Sequence, residues 1–192
     1  MQRNRQTLLK TAAAAGLALM LATPVIKAQQ TTPTRPLSTD AQRGTLSASD
    51  YRFVENAARG GMEEVQLGRL AQEKGVNQSV RSFGERMVAD HTKANDELKK
   101  LATKKGAMIP TTLSHHEQST IEDLQKASGG EFDRTYARAM VKDHNTDVKE
   151  FDRASKSLTD PELKAFAQKT LPTLQDHLKL AQDMEGAVKG ER

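Results

Sequence analysis

Residues 77–106 read NQSVRSFGERMVADHTKANDELKKLATKKG, and this stretch predicts one long amphipathic α-helix. Asn77 is a favoured residue for a helix N-cap, and Gly106 for the position after a helix ends. Between them, mostly apolar side chains recur every three or four residues, which is the spacing of one helix face. This face consists of Val80, Phe83, Met87, His91, Ala94, Leu98 and Leu101. A histidine therefore lies in the middle of a face that we expect to be buried.

The same periodicity recurs along the chain, and no segment alternates with period two, so the sequence predicts an all-α fold. The other predicted helices span about 51–74 (capped by Ser49 and Asp50), 114–128, 131–158 and 161–187. Short turns at 75–76 and 158–159 join the long helices into two antiparallel hairpins, and a longer crossover containing the short helix connects the hairpins. This connectivity is that of a ferritin-like four-helix bundle. We expect the bundle to occupy residues 49–188, followed by a disordered tail at 189–192.

Residues 1–28 predict a secretory signal peptide. Arg3, Arg5 and Lys10 form a basic region, residues 11–22 are small and apolar, and residues 26–28 resemble a cleavage site. An uncleaved membrane anchor is disfavoured, because the apolar run is too short to cross a bilayer as a helix. We expect cleavage near Ala28-Gln29 and a periplasmic or secreted mature protein, with association to the outer membrane and the export route both left open. Residues 29–48 are polar and aperiodic, which predicts a flexible linker.

Charge and cysteine content exclude several classes of function. The chain has 29 basic and 25 acidic residues, and residues 1–28 contain four of the basic ones and none of the acidic ones, so the mature chain is formally neutral. Nucleic acid is disfavoured as a partner, because its binding needs a basic face and the sequence has no basic cluster. The absence of cysteine excludes disulfides and thiolate metal sites.

Each long helix places one polar side chain near its midpoint on the side expected to be buried: Glu64, His91, His144 and His177. Burying an unpaired carboxylate costs several kcal/mol. A metal ion would remove this cost, since three imidazoles and one carboxylate are an ordinary ligand set for zinc, iron or copper. The sequence therefore predicts one transition metal ion held by these four residues. The alternative is a metal-free network of hydrogen bonds that specifies how the helices pack.

Each of these histidines directly follows an aspartate, because MVADH at 87–91 recurs as MVKDH at 140–144 and as the weaker LQDH at 174–177. We expect Asp90, Asp143 and Asp176 to accept the ring N–H of a histidine on a neighbouring helix, as carboxylates beside metal-binding histidines do. Glu64 is flanked by three glycines, Gly60, Gly61 and Gly68. Their small size predicts either that a neighbouring helix backbone packs closely here or that a ligand has room beside Glu64.

Four motifs, DYRFV at 50–54, GGMEEVQLG at 60–68, MVADH at 87–91 and LPTLQDH at 171–177, resemble the domain of unknown function 4142 family over roughly residues 49–187. The resemblance implies a ferritin-like helical fold and an exported bacterial protein, of a kind often labelled as outer-membrane proteins. It implies no activity.

One departure concerns the di-iron pattern of ferritin-like proteins, which is Glu-x-x-His on two helices. The residues three positions before the histidines are Val88, Val141 and Leu174. A mononuclear site is therefore expected rather than a di-iron centre.

Two classes of function remain. One is a metal-binding bundle for storage, buffering or stress protection, and the other is a metal-free structural or interaction protein of the cell envelope with an envelope protein as its partner. An enzyme is not indicated, because the sequence has no nucleophile–base motif, no phosphate-binding loop and no dense carboxylate cluster. The sequence does not determine the oligomeric state.

Overall fold

The structure, a computed structural model, describes residues 40–189. The predicted signal peptide, most of the predicted linker and the last three residues lie outside this range. Over the described residues the fold is entirely helical, which confirms the all-α prediction. The helices are α1 Asp40–Arg43, α2 Ala48–Lys74, α3 Gln78–Lys104, α4 His115–Lys126, α5 Gly129–Ser157 and α6 Pro161–Lys189. Between residues 40 and 189 no helix has the length and apolar character needed to span a membrane.

The four long helices pack as two pairs. The most extensive contacts join α2 to α3 and α5 to α6, and further contacts join α3 to α6 and α2 to α5. The crossover helix α4 lies mainly against α2. A capping box starts α4, with the Glu117 carboxylate accepting the backbone N–H of Ser114. Asn77 caps α3 by accepting the backbone N–H of Ser79 at 2.7 Å.

The apolar core is divided into two clusters. One contains Phe53, Phe151 and Phe166 and lies where α2 and α6 begin and α3 and α5 end. The other contains Phe83 and Tyr136 and lies at the opposite ends of the same helices. It follows that α2 and α6 run in one direction and α3 and α5 in the other. Each long helix passes from one apolar cluster to the other through a central layer of polar side chains.

Two buried aspartates link the hairpins to each other. Asp50 on α2 accepts the backbone N–H groups of turn residues 159–160, at 3.0 Å each. Asp133 on α5 accepts the backbone N–H groups of turn residues 76–77, at 3.2 and 2.7 Å. Both side chains are almost fully buried. Each hairpin thus stabilises the turn of the other.

Two local features differ from the sequence-based expectations. Residues 40–47, assigned to the flexible linker, form α1 and a turn that bonds to the segment after α3, with Met108 N–H donating to Gln42 O at 2.7 Å. The cap of α2 is Ser47, which accepts the backbone N–H of Asp50. Residues 129–130, which lie between the predicted helices 114–128 and 131–158, instead begin α5, and Gly129 has a positive φ of 56°.

We expect Asp50→Ala and Asp133→Ala each to lower the free energy of unfolding by about 1–3 kcal/mol, because each leaves buried backbone N–H groups without an acceptor. Asp123→Ala, on the exposed face of α4, is the matched control and should change stability by less than about 0.5 kcal/mol. Urea denaturation followed by circular dichroism measures all three. Similar values for the buried and exposed positions would show that the caps contribute nothing.

Acid should weaken the Asp50 cap. Burial opposes ionisation of Asp50, but hydrogen bonds from Thr159, Ser47 and Asp160 outweigh it and hold the pKa of its carboxyl below the ordinary 3.8. A lowered pKa contributes stability above the ordinary value, and this contribution is lost as the pH falls through the folded-state value. We therefore expect Asp50→Asn to reduce the slope of stability against pH below about 4, as measured by thermal unfolding.

Candidate metal centre

The structure places the four predicted ligands together in the polar layer between the two apolar clusters. Glu64 and His144 are 0% exposed, His177 is 1% exposed and His91 is 8% exposed. One nitrogen from each histidine lies within 4.8 Å of a nitrogen from each of the others. The ring centroids are 5.3 Å apart for His91 and His177, 5.4 Å for His144 and His177, and 6.1 Å for His91 and His144.

Glu64 approaches two of the rings with different oxygens. Its Oε1 lies 3.3 Å from His144 Nε2, and its Oε2 contacts His91 Nε2. The Glu64 carboxylate on α2 therefore lies between His91 on α3 and His144 on α5. In this position it can complete a set of three nitrogen ligands and one oxygen ligand.

Hydrogen bonds determine the tautomers of two rings. His144 Nδ1 lies 3.0 Å from the carbonyl oxygen of Met140, which can only accept, so Nδ1 carries a proton and Nε2 is the nitrogen that can coordinate a metal. His177 Nε2 lies 2.8 Å from Asp90 Oδ2. Burial opposes ionisation of Asp90, but hydrogen bonds from Arg86 and His177 outweigh it and hold its pKa below 3.8. Asp90 is therefore ionised and accepts, which leaves the lone pair of His177 on Nδ1.

Three ring nitrogens and both oxygens of Glu64 face one another in the layer. Among the described residues, five of the buried side-chain atoms that lack a hydrogen-bond partner belong to this group: Glu64 Oε1, Glu64 Oε2, His91 Nε2, His144 Nε2 and His177 Nδ1. Unsatisfied buried polar atoms are rare in native proteins. This arrangement of nitrogen and oxygen atoms could hold a metal ion.

Burial also changes the protonation of three groups in the site. Desolvation lowers the pKa of His91 and of His177 to about 4, so both rings are neutral at pH 7. Desolvation raises the pKa of Glu64 to about 8, so without a metal this carboxyl holds a proton at neutral pH. A bound divalent cation would supply the charge that lets Glu64 ionise, and binding would release its proton.

The three aspartates beside the histidines lie in different environments. Asp90 on α3 accepts from His177 on α6, which is the contact expected from the sequence, and also pairs with Arg86. Asp143 lies instead against Glu64 and Asp147. Asp176 is on the exposed side of α6. Only Asp90 orients one of the clustered rings.

Sequence reasoning missed a cluster of carboxylates beside the layer. Glu64, Asp143 and Asp147 each offer an oxygen within 4.8 Å of the others, which corrects the expectation that no dense carboxylate cluster exists. Burial raises the pKa of Asp147 well above its ordinary value. The signal was present in the sequence, because Asp147 follows His144 by three residues and therefore shares its helix face, but the pattern sought was a carboxylate three residues before each histidine.

The glycines near Glu64 serve different purposes. A Cβ at Gly68 would lie 2.7 Å from the carbonyl oxygen of Gly84, so Gly68 allows α2 and α3 to approach closely. A Cβ at Gly61 would overlap the side chain of Asn95. Gly60 has no atom within 4 Å of the position of a Cβ, and it borders a cavity of about 30 Å³ that is also lined by His91. This cavity is large enough for a water molecule.

A family model described as "Domain of unknown function (DUF4142)" matches residues 35–184. The chain belongs to this family. The match confirms the resemblance carried by the four sequence motifs. One solved structure, that of a DUF305 fragment from Deinococcus radiodurans, is similar with a TM-score of 0.64 at 15% identity, covering 75% of this chain and 97% of that chain. At this identity the likeness shows a shared helical fold. A search of the curated proteins finds no significant match.

Without metal, the protein should lose stability as the pH rises from about 6.5 to 8. The folded chain keeps a proton on Glu64 up to a pKa of about 8, whereas the unfolded chain releases it near 4.5, so this contribution to stability is lost as the pH rises. The neutral histidines oppose this trend only below their unfolded pKa of about 6.5. Urea denaturation in the presence of a chelator measures the slope.

Glu64→Gln should reduce that slope, and Glu63, whose pKa is raised by burial to about 7, accounts for part of the remainder. Glu73→Gln, exposed on the same helix, is the control and should leave the slope unchanged. An equal slope in wild-type protein and Glu64→Gln would mean that Glu64 is ionised in the metal-free fold.

Proposed function

We propose that this protein is a metal-binding helical bundle of the bacterial cell envelope, ferritin-like in the connection of its four long helices. It holds one transition metal ion between Glu64, His91, His144 and His177. The observation that carries the proposal is the convergence of three imidazole nitrogens and one carboxylate in a buried layer, with no lysine or arginine among the groups that face one another. The ligand set suits zinc, iron or copper.

The same observation argues against a metal-free network as the purpose of the layer. A network that specifies packing needs a proton for each pair of acceptors. The ring N–H groups of His144 and His177 point away from the layer and donate to Met140 O and to Asp90. Of the groups that face one another here, Glu64 and His91 each supply a proton to only one neighbour at a time, while His144 Nε2, His177 Nδ1 and the second Glu64 oxygen all need one. A network therefore leaves acceptors unpaired, whereas one cation serves all of them.

Location in the envelope rests on residues 1–28, whose order of basic, apolar and small residues is that of a signal peptide. In that compartment a buried and largely closed site suits storage, buffering or protection from metal stress. Catalysis by the ion would need an open coordination position and a substrate cleft. The cavity beside His91 has room for water alone.

Mature protein, residues 29–192, purified without a histidine tag or chelator should contain close to one equivalent of a transition metal by elemental mass spectrometry. His91→Ala and His144→Ala should each lose most of it. His115→Ala is the matched control, because His115 is exposed on α4 and the substitution removes the same side chain. Circular dichroism establishes that each variant remains folded.

Chelation should also lower the melting temperature of the wild-type protein, because an ion bound only by the folded state stabilises it. Metal-free protein even after incubation with zinc, copper and iron salts, together with a melting temperature unaffected by chelator, would establish the layer as a packing device.

A further inference from the structure

The carboxylate cluster beside the histidine layer has its own geometry. Asp143 and Asp147 lie one helical turn apart on α5, on either side of His144 in the sequence, and both present an oxygen within 4.8 Å of Glu64 on α2. All three groups are thus at the contact between α2 and α5, the side of the bundle that faces α4. Three oxygen donors at this separation are a common ligand set for a hard divalent cation.

Positive side chains do not balance this cluster. In the range 40–189, no lysine or arginine forms an ion pair with Asp143, Asp147 or Glu64. The buried member of the cluster is Glu64, which is 0% exposed and whose two oxygens lack any hydrogen-bond partner. An uncompensated group of carboxylates at a helix contact is costly to fold unless protons or a cation neutralise it.

Glu64 belongs to both groups of ligands. Its Oε1 lies 3.3 Å from His144 Nε2, and the same carboxylate offers an oxygen to Asp143 and Asp147 within 4.8 Å. Glu64 thus lies between a group of nitrogen donors and a group of oxygen donors. Bridging carboxylates have this position in two-metal centres, where the two ions are about 3.5–4 Å apart.

We infer that Glu64, Asp143 and Asp147 form a second cation site that shares the Glu64 carboxylate with the histidine site, so that the bundle holds an asymmetric two-metal centre. The histidine site takes a transition metal and the carboxylate site takes a hard divalent cation such as Mn²⁺. This inference rests on the proposed function through the shared carboxylate.

The surroundings of the second site give it access to solvent. A pocket of about 320 Å³ lies between α2, α4 and α5 and is lined by both aspartates of the site. Its other acidic lining residues are Glu63, Glu117 and Glu150. Lys142 and His116 also line the pocket, but its five carboxylates outnumber them, so the pocket attracts cations. Asp147 also borders the small cavity beside His91, which leaves room for a water ligand near the shared carboxylate. The cation would therefore arrive from the α4 side.

The test uses mature protein loaded with one equivalent of zinc and titrated with Mn²⁺, with free Mn²⁺ measured by electron paramagnetic resonance. We expect one further equivalent of Mn²⁺ to bind. Asp143→Asn and Asp147→Asn should each weaken its binding about 10–100-fold while zinc stoichiometry stays unchanged. The matched control is Asp152→Asn, on the solvent side of the same helix, which should change neither.

A second measurement tests whether the sites share Glu64. With Cu²⁺ in place of zinc in the histidine site, the signal of bound Mn²⁺ should broaden strongly, because two paramagnetic ions bridged by one carboxylate are coupled magnetically. An unbroadened signal, or Mn²⁺ binding that is equal in wild-type protein and both aspartate variants, would overturn the two-metal centre. Normal zinc binding in that case would leave the histidine site standing. Conversely, Mn²⁺ binding that depends on Asp147 in protein unable to bind zinc would remove the histidine site and overturn the sharing of Glu64.

Discussion

Burying one carboxylate and three imidazoles in a single layer is the constraint on which the rest of the structure depends. Such a layer interrupts the apolar core, so the molecule has two apolar clusters, one on each side, rather than one. The cost of burial is several kcal/mol for each unpaired charged group. Two features reduce it: the rings of His91 and His177 are neutral, and an Asp90–Arg86 pair holds the His177 ring from outside. The proposed cation at the centre would remove what remains.

The helices and the polar layer could be predicted from the sequence because both depend on local rules. Caps such as Asn77 and Ser114 mark where helices start, and the 3.6-residue period assigns Glu64 and the three histidines to buried faces. What could not be predicted was the partner of each neighbouring group. α3 and α5 run in the same direction, so the same one-residue offset from a histidine turns Asp90 toward α6 and Asp143 toward α2. The equivalent offset on the oppositely directed α6 leaves Asp176 in solvent.

The carboxylate cluster illustrates the same limit. Asp147 is set apart within α5 only by its three-residue spacing from His144, and nothing within the helix distinguishes Asp143 from a more exposed aspartate such as Asp152. The two aspartates form a cluster only because Glu64, about 80 residues away in the chain, lies beside them where α2 contacts α5. Contacts of this kind depend on tertiary packing, which periodicity within single helices does not encode. The linker residues 40–47 were misjudged for the same reason, since their order comes from bonds to the segment after α3.

The reciprocal aspartate caps have a consequence for dynamics. The backbone amides at 76–77 and 159–160 donate to acceptors outside their own hairpin. These acceptors, Asp133 and Asp50, belong to the opposite hairpin. Hydrogen exchange at these four amides is therefore slowed by the docking of the two hairpins and not by the folding of either one. The ligands of the polar layer are divided between the same two hairpins. The hydrogen-exchange rate of these amides therefore also measures how often the two hairpins separate and expose the polar layer.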